Sequence, residues 1–134
     1  MVQVDNVCQY DFDLSELDNV DVGYMQDYNL IYYPVATSSN LKEKYPMIKC
    51  ATGDRFTFKK TYLDIIKNLG AGVVDMECGA IAQVTYANNI PTHIIKLISD
   101  VDGCDESIFS QYANNVESIC SLIPNALKDI VDNI

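Results

Sequence analysis

The sequence is poor in the residues that most often bind metals. It contains a single histidine, His93, and its five cysteines are scattered and odd in number. No two cysteines stand at the C-x-x-C spacing that is typical of structural zinc sites. We therefore predict no metal and no cofactor, and we interpret the cysteines as reduced, small apolar residues of a cytosolic protein, with a disulfide as the alternative. The cysteines are Cys8, Cys50, Cys78, Cys104 and Cys120.

Long apolar runs and an excess of basic charge are also absent. No run is long enough to span a bilayer, and residues 1–5 do not resemble a secretion signal. Nine lysines and arginines stand against nineteen aspartates and glutamates, which gives a net charge of −10. Because nucleic-acid backbones are bound by basic side chains, we predict neither a nucleic acid nor a membrane as partner. The length of 134 residues fits one domain.

The stretch 73–100 carries the clearest pattern of the chain. Its composition predicts a strand over 73–76, a helix over 77–89 and a second strand over 93–98 that is covered on both faces. A helix of this length permits a parallel crossover between neighbouring strands. Ligands bind beyond the carboxyl ends of such strands, so we expect the acidic residues that follow each strand to face one crevice.

Weaker patterns predict the elements around this unit. In chain order they are a strand over 2–10 that is an edge strand or the end of one, a strand-like run over 28–35 in which Pro34 indicates an edge or an end, a helix start within 38–45, a strand over 47–51, an amphipathic helix over 59–69 closed by Gly70, and a final helix from Ser107 to about 131 with a kink or break at Pro124. The predicted apolar face of the final helix includes Phe109, Tyr112 and Leu127.

The segment 11–26 is acidic and rich in turn formers, which predicts a long loop with room for one helical turn. Long loops in compact domains often serve as lids or binding loops. A disordered acidic surface loop is the alternative that its composition leaves open. Phe12, Leu14 and Leu17 favour a loop that packs on another surface.

Three motifs follow one another along the chain: TGDRF at 52–56, VDMECGAIA at 74–82 and ISDVD at 98–102. Their order and spacing resemble the nucleoside phosphorylase and nucleosidase superfamily, closest to 5′-methylthioadenosine/S-adenosylhomocysteine nucleosidases. The resemblance implies a three-layer α/β/α phosphorylase-type sheet. It covers nearly the whole chain but only the carboxyl-terminal part of a family domain, so we expect a single, partial domain without the family's glycine-rich amino-terminal strands.

The resemblance also implies roles for individual residues. Asp100 would protonate the purine at N7, with Ser99 positioning it, and Glu77 would bind the ribose hydroxyls. The other positions implied to contact substrate are Phe56, stacked on the purine, Thr57, whose backbone reads the purine edge, Met76, which lies against the ribose, and Asp75, Lys96, Leu14 and Leu17.

Two of these positions depart from the family pattern, because Asp75 stands where a glutamate is usual and Lys96 where an arginine is usual. Lysine keeps the charge of arginine but loses its planar fork of donors. Leu14 and Leu17 lie in the 11–26 segment, which in the resembling nucleosidases helps to form a dimer and closes the neighbour's pocket. We therefore expect a homo-oligomer, with a dimer favoured.

The function that follows is cleavage of the N-glycosidic bond of a purine nucleoside, by hydrolysis that releases adenine. The chemistry agrees, because this cleavage needs a protonated leaving base and a stabilised cationic sugar, which one acid and one carboxylate supply. Phosphorolysis and a non-catalytic, nucleoside-binding remnant are the alternatives. Residue by residue, Glu77 could instead be a helix-terminal acid, Asp100 a loop or capping acid, and Phe56 an ordinary core residue.

Overall fold

The computed structural model describes residues 1–56 and 60–133. Within these residues the chain forms a five-stranded mixed sheet and four α-helices. The strands are β1 (Val2–Gln9), β2 (Tyr33–Pro34), β3 (Met47–Thr52), β4 (Val73–Asp75) and β5 (Ile94–Lys96), and the helices are α1 (Ser15–Asp18), α2 (Lys60–Asn68), α3 (Cys78–Ala87) and α4 (Ile108–Asn133). The predicted helix start within 38–45 is a 3₁₀ turn over Ser39–Leu41.

Strand β1 lies in the interior of the sheet, so the prediction of an edge strand over 2–10 is wrong. It runs parallel to β3 along one side and antiparallel to β2 and β5 along the other. One polar residue of this interior strand, Gln3, is buried. Its side-chain amide donates to the carbonyls of Ser38 and Tyr45 at 3.2 and 3.0 Å and accepts from the Ser38 N–H at 2.9 Å. These hydrogen bonds offset the cost of burying a polar side chain.

The stretch 73–100 does not form the predicted parallel crossover. β4 pairs in parallel with β3, whereas β5 pairs antiparallel with β1, so the two strands are not neighbours. The predicted cover on both faces of β5 is also wrong, because its three residues are half-buried. A short apolar run identifies a strand but carries no information about which partner it will pair with.

Helices cover both faces of the sheet, which confirms the three-layer α/β/α architecture. α3 packs on one face, where Cys78 and Ala82 join Val4, Val7 and Cys50 in a buried cluster. α2 packs on the other face, in a cluster that contains the alternate strand residues and the helix residues Ile66 and Leu69. The division follows from the strand geometry, since successive side chains of a strand point to opposite faces. The members of the second cluster are Cys8, Tyr10, Ala51, Ile66 and Leu69.

Gly70 closes α2 as predicted. It adopts a left-handed conformation, with φ of +67°, and the Ala71 N–H reaches back to the Ile66 carbonyl at 3.2 Å. Gly79 has a different role at the start of α3. A Cβ atom there would lie 2.3 Å from Cγ2 of Thr52, so the absence of a side chain lets the helix approach β3.

Helix α4 is continuous through Pro124, so the predicted break does not occur. Its first turns are held by residues near Asp100, and its last turns by the 38–45 segment. There Ser38 donates to the Asn133 carbonyl at 2.6 Å, and Lys44 and Tyr45 both contact the Asp129 carboxylate at 2.5 Å. Much of the predicted apolar face of α4 is exposed, including Phe109, Tyr112 and Leu127.

The remaining predictions concern loops and short strands. The segment 11–26 is a loop that carries α1 as its single helical turn, as predicted. Only Tyr33 and Pro34 of the strand-like run 28–35 form a strand, and Pro34 lies on β2, beyond which no further strand pairs among the described residues. In the part of the chain that the structure describes, no helix is both long enough and apolar enough to cross a membrane.

Candidate active site

A cavity of about 430 Å³ opens where β4 ends and α3 begins. Residues from all three sequence motifs line it, together with the first turns of α4. From the motifs come Arg55, Phe56, Val74, Asp75, Met76, Glu77, Ser99 and Asp100, and from α4 come Ile108, Phe109 and Tyr112. Both acidic clusters therefore face one cavity, as predicted, although their strands are not adjacent in the sheet.

The structure brings together most of the predicted site residues. Six of them line the cavity: Phe56, Asp75, Met76, Glu77, Ser99 and Asp100. Lys96 is connected to the cavity through an ion pair with Asp75. Leu14 precedes α1 and Leu17 lies on it, and neither lines the cavity. Thr57 lies outside the described residues.

Asp75 is a buried carboxylate held by two neighbouring groups. Its side chain is 8% exposed, forms an ion pair with Lys96 and accepts a hydrogen bond from the Cys78 N–H at 3.1 Å. Burial alone would raise the pKa of Asp75, but the hydrogen bond with Cys78 and the Lys96 ammonium outweigh burial and hold this pKa below its usual value. Lys96 shows the reciprocal effect, since burial opposes its charge but the bond to Asp75 raises its pKa.

Glu77 occupies the amino-terminal cap position of α3 without capping the helix through its side chain. The helix N–H of Cys78 is satisfied by Asp75 instead, and the Glu77 carboxylate lies 3.3 Å from the Met76 N–H. Glu77 is exposed at the cavity wall. Glu77 therefore does not cap α3 through its side chain, and its carboxylate faces the cavity at the helix start.

Ser99 and Asp100 form a hydrogen-bonded pair that α4 holds in place. The Ser99 hydroxyl donates to Oδ1 of Asp100 at 2.5 Å. Gln111, on the first turns of α4, accepts from the Val101 N–H at 2.9 Å and donates to the Val101 carbonyl at 3.0 Å, while Asn115 donates to the Ser99 carbonyl at 2.9 Å. Asp100 is not a helix cap here.

The cap of α4 is Ser107, as predicted. Its Oγ lies 3.2 Å from the Ser110 N–H, at the amino-terminal end of the helix. Asp100 is thus left, with Ser99, in the loop before α4, where it lines the cavity.

Phe56 is not a core residue, because it is 53% exposed and stacks on Phe109 at the cavity. The two ring centroids are 5.7 Å apart and the planes are inclined by 12°. Sequence reasoning placed Phe109 and Tyr112 on the apolar face of the last helix and missed their position at the cavity. The signal available was the short connection from Asp100 to Ser107, which returns the start of α4 to the same place.

The sheet is covered by helices on both faces, so the class of protein is α/β. The cavity beside β4 contains carboxylates and stacked aromatic rings, which suits a polar molecule that carries a flat ring. The chain belongs to the phosphorylase superfamily, whose family model matches residues 4–131. This confirms the resemblance that the three motifs carry.

Several individual proteins are also similar to this chain. The chain is 28% identical over 125 residues to a 5′-methylthioadenosine/S-adenosylhomocysteine nucleosidase of Oceanobacillus iheyensis, a match that covers 90% of this chain and 55% of the relative. The structure superimposes on Arabidopsis thaliana 5′-methylthioadenosine nucleosidase with a TM-score of 0.80 at 17% identity, over 98% of this chain and 52% of that one. A mutant futalosine hydrolase of Helicobacter pylori gives 0.82 at 20% identity, over 98% and 60%.

The two structural similarities establish the fold. In each of these comparisons the chain spans little more than half the length of the protein that it matches.

Proposed function

We propose that the cavity binds a purine nucleoside and serves nucleosidase-type hydrolysis of its N-glycosidic bond, with adenine as the released base. The observation that carries this proposal is the convergence of Asp100, Glu77 and Phe56 on one cavity. The similarity to nucleosidases named for 5′-methylthioadenosine supports the choice of substrate.

The proposed chemistry assigns one task to each of these groups. The purine stacks on Phe56, and Asp100 donates a proton to N7 while the bond from the sugar carbon to N9 breaks. Water adds to that carbon and releases one proton to the solvent. Glu77 accepts hydrogen bonds from the ribose hydroxyls, which stabilises the positive charge that develops on the sugar. Ser99 fixes the Asp100 carboxyl, and Asp75, held by Lys96, fixes the turn that carries Glu77.

The test is ligand binding measured by isothermal titration with adenine and with 5′-methylthioadenosine. Glu77→Gln should weaken binding of the nucleoside more than binding of adenine, because only the nucleoside carries ribose hydroxyls. Asp102→Asn is the matched acidic control, since Asp102 is exposed and does not line the cavity. Equal losses for the two ligands in Glu77→Gln would indicate a structural role for Glu77 and contradict the assignment.

A second measurement addresses the leaving group. Wherever turnover is measurable, Asp100→Asn should lower kcat by roughly 10²-fold or more, the usual scale for removing a general acid, with a much smaller effect on binding. An Asn variant that turns over at the rate of the unsubstituted chain would rule out the acid role.

Turnover by this chain alone should be slow or absent. Of the three carboxylates that the described residues place at the cavity, Asp75 is bound to Lys96, and the proposal assigns Glu77 and Asp100 to the sugar and the base. No described carboxylate is left to activate water. Adenine release from 5′-methylthioadenosine, with and without phosphate, measures this, and phosphate-dependent release would instead indicate phosphorolysis. Multiple rapid turnovers without phosphate would show that a water-activating group is present.

The proposed assembly is a homodimer in which the 11–26 segment is covered. Leu17 is 81% exposed on α1, as expected for a residue that packs on another chain. Light scattering at micromolar concentration should show a dimer that Leu17→Asp dissociates. A stable monomer before substitution would contradict this part of the proposal.

A further inference from the structure

Two cysteines and an aspartate that are distant in the sequence meet beneath the cavity. Cys50 lies on β3, Asp75 ends β4, and Cys78 begins α3. Their ligand atoms, two sulfurs and a carboxylate oxygen, all lie within 4.8 Å of one another. The three side chains are almost fully buried, and among the described residues this is the one group of three or more cysteine, histidine or acidic side chains that is close enough to hold an ion.

The scaffold fixes these three residues through regular structure. β3 and β4 pair in parallel, with Cys50 opposite Val73 and Thr52 opposite Asp75. Asp75 also accepts the N–H of Cys78 at 3.1 Å, which sets the start of α3 against the strand ends. Donors held on paired strands and a helix terminus are preorganised in a way that donors on a loop are not.

The donor set suits a thiophilic divalent cation. Thiolates and carboxylates both bind Zn²⁺, and the ligand atoms of a tetrahedral zinc site are separated by about 3.5–3.8 Å, as follows from Zn–S and Zn–O distances of about 2.3 and 2.0–2.2 Å. Ligand atoms at the 4.8 Å limit would therefore need to approach one another by roughly 1.0–1.3 Å. Three protein ligands leave one coordination position for water, which is a common zinc arrangement.

Charge balance also favours such an ion. Two thiolates and one carboxylate carry three negative charges, a divalent cation supplies two positive charges, and the Lys96 ammonium beside Asp75 supplies the third. Buried charges are tolerated when they are paired or bind metals, so a neutral group of five partners satisfies this requirement. A site with the same ligands and no neighbouring cation would retain one uncompensated negative charge.

We propose that Cys50, Asp75 and Cys78 form a binding site for one thiophilic divalent cation of the Zn²⁺ class. The absence of C-x-x-C spacing conceals this site in the sequence, because strand pairing rather than local spacing brings the two cysteines together. The two sulfurs lie in the core rather than at the cavity, and the proposed site shares only Asp75 with the cavity wall.

The first experiment measures Zn²⁺ binding to the reduced chain by isothermal titration and native mass spectrometry. One ion per chain should bind, and Cys50→Ser or Cys78→Ser should weaken binding by at least 10²-fold. Cys8→Ser is the matched buried control, because Cys8 is fully buried but lies outside the cluster. A Cys104→Ser/Cys120→Ser double variant removes the exposed thiols and should bind as the unsubstituted chain does.

The second experiment needs no substitution and remains decisive if the cysteine variants do not fold. X-ray absorption at the zinc edge of the one-to-one complex should show two sulfur ligands at about 2.3 Å, with oxygen ligands completing the shell. Binding that disappears in the Cys104→Ser/Cys120→Ser variant, a shell without two sulfurs, or no binding at all would overturn the proposal.

Discussion

The ion pair between Asp75 and Lys96 gives the sharpest prediction about stability. Replacing Lys96 by Met keeps most of the side-chain volume but leaves the Asp75 carboxylate, 8% exposed, without its cation. Removing one partner of a buried pair typically costs about 3–5 kcal/mol, because the remaining charge is uncompensated. Since Lys96 is itself 25% exposed and Asp75 keeps the Cys78 N–H, the lower end applies, about 3 kcal/mol.

A double-mutant cycle separates the pair from its surroundings. Asp75→Asn should cost about 2 kcal/mol, because the Lys96 ammonium loses its carboxylate while the amide oxygen can still accept the Cys78 N–H. The double variant, which buries neither charge, should cost less than the sum of the single variants by about 2 kcal/mol or more. Lys42→Met, at an exposed lysine, is the control and should change stability by about 0.5 kcal/mol or less.

The assay is urea unfolding followed by circular dichroism, with the midpoint and slope reported for all five chains. A thermal scan should show Lys96→Met melting about 10 °C lower, given roughly 3–5 °C per kcal/mol for a domain of this size. Strictly additive single variants, or a Lys96→Met cost no larger than that of Lys42→Met, would refute the reasoning. Either result would mean that solvent compensates Asp75 as well as Lys96 does.

Three further predictions concern the scaffold around the cavity. Gln111→Leu should lower the free energy of unfolding by about 1–3 kcal/mol, because its hydrogen bonds to the backbone of Val101 and Glu106 are lost. The freed loop at Val101 should also weaken adenine binding, and unchanged binding would show that α4 does not position this loop. Gly79→Ala should lower the free energy of unfolding by about 1–3 kcal/mol, because the new methyl group clashes with Thr52. Thr52→Ser in the same chain removes the clashing methyl group and should recover most of that stability in urea unfolding. No recovery would show that the strain lies elsewhere. Burial lowers the pKa of Lys96, but the bond to Asp75 raises it more, so the pKa in the folded state lies above the usual value. The stability that Lys96 contributes is therefore fully present below pH 10.5 and lost above it, and a pH series should show a steeper alkaline loss of stability than in Lys96→Met. Parallel curves for the two chains would contradict this prediction.

The elements whose signal is local could be predicted from the sequence. β3, α2 and α3 carry apolar periodicity and end at turn residues such as Gly70, and the structure places them within a few residues of the predicted bounds. The convergence of Asp75, Glu77 and Asp100 was predicted, but its cause differs from the predicted one. Because β5 runs antiparallel to β1, Asp100 reaches the cavity through the loop that α4 holds.

What depends on distant partners could not be predicted. The interior position of β1 depends on a distant segment, because the backbone of Ser38 and Tyr45 supplies the hydrogen bonds that the buried Gln3 amide needs. The pairing of β5 with β1 has no counterpart in the composition of a three-residue strand. Phe109 and Tyr112 belong to an amphipathic pattern that is the same whether the apolar face meets a core or a ligand cavity.

The two anchor points of α4 make this helix a link between the loop of Asp100 and a remote surface. A helix of 26 residues is about 39 Å long, and it holds the loop of Asp100 at one end and the Lys44–Tyr45 corner at the other. Small residue changes near the corner would be transmitted as a displacement along the helix axis, because a helix resists compression far more than a loop does. The position of Asp100 is thus set partly by residues that do not line the cavity.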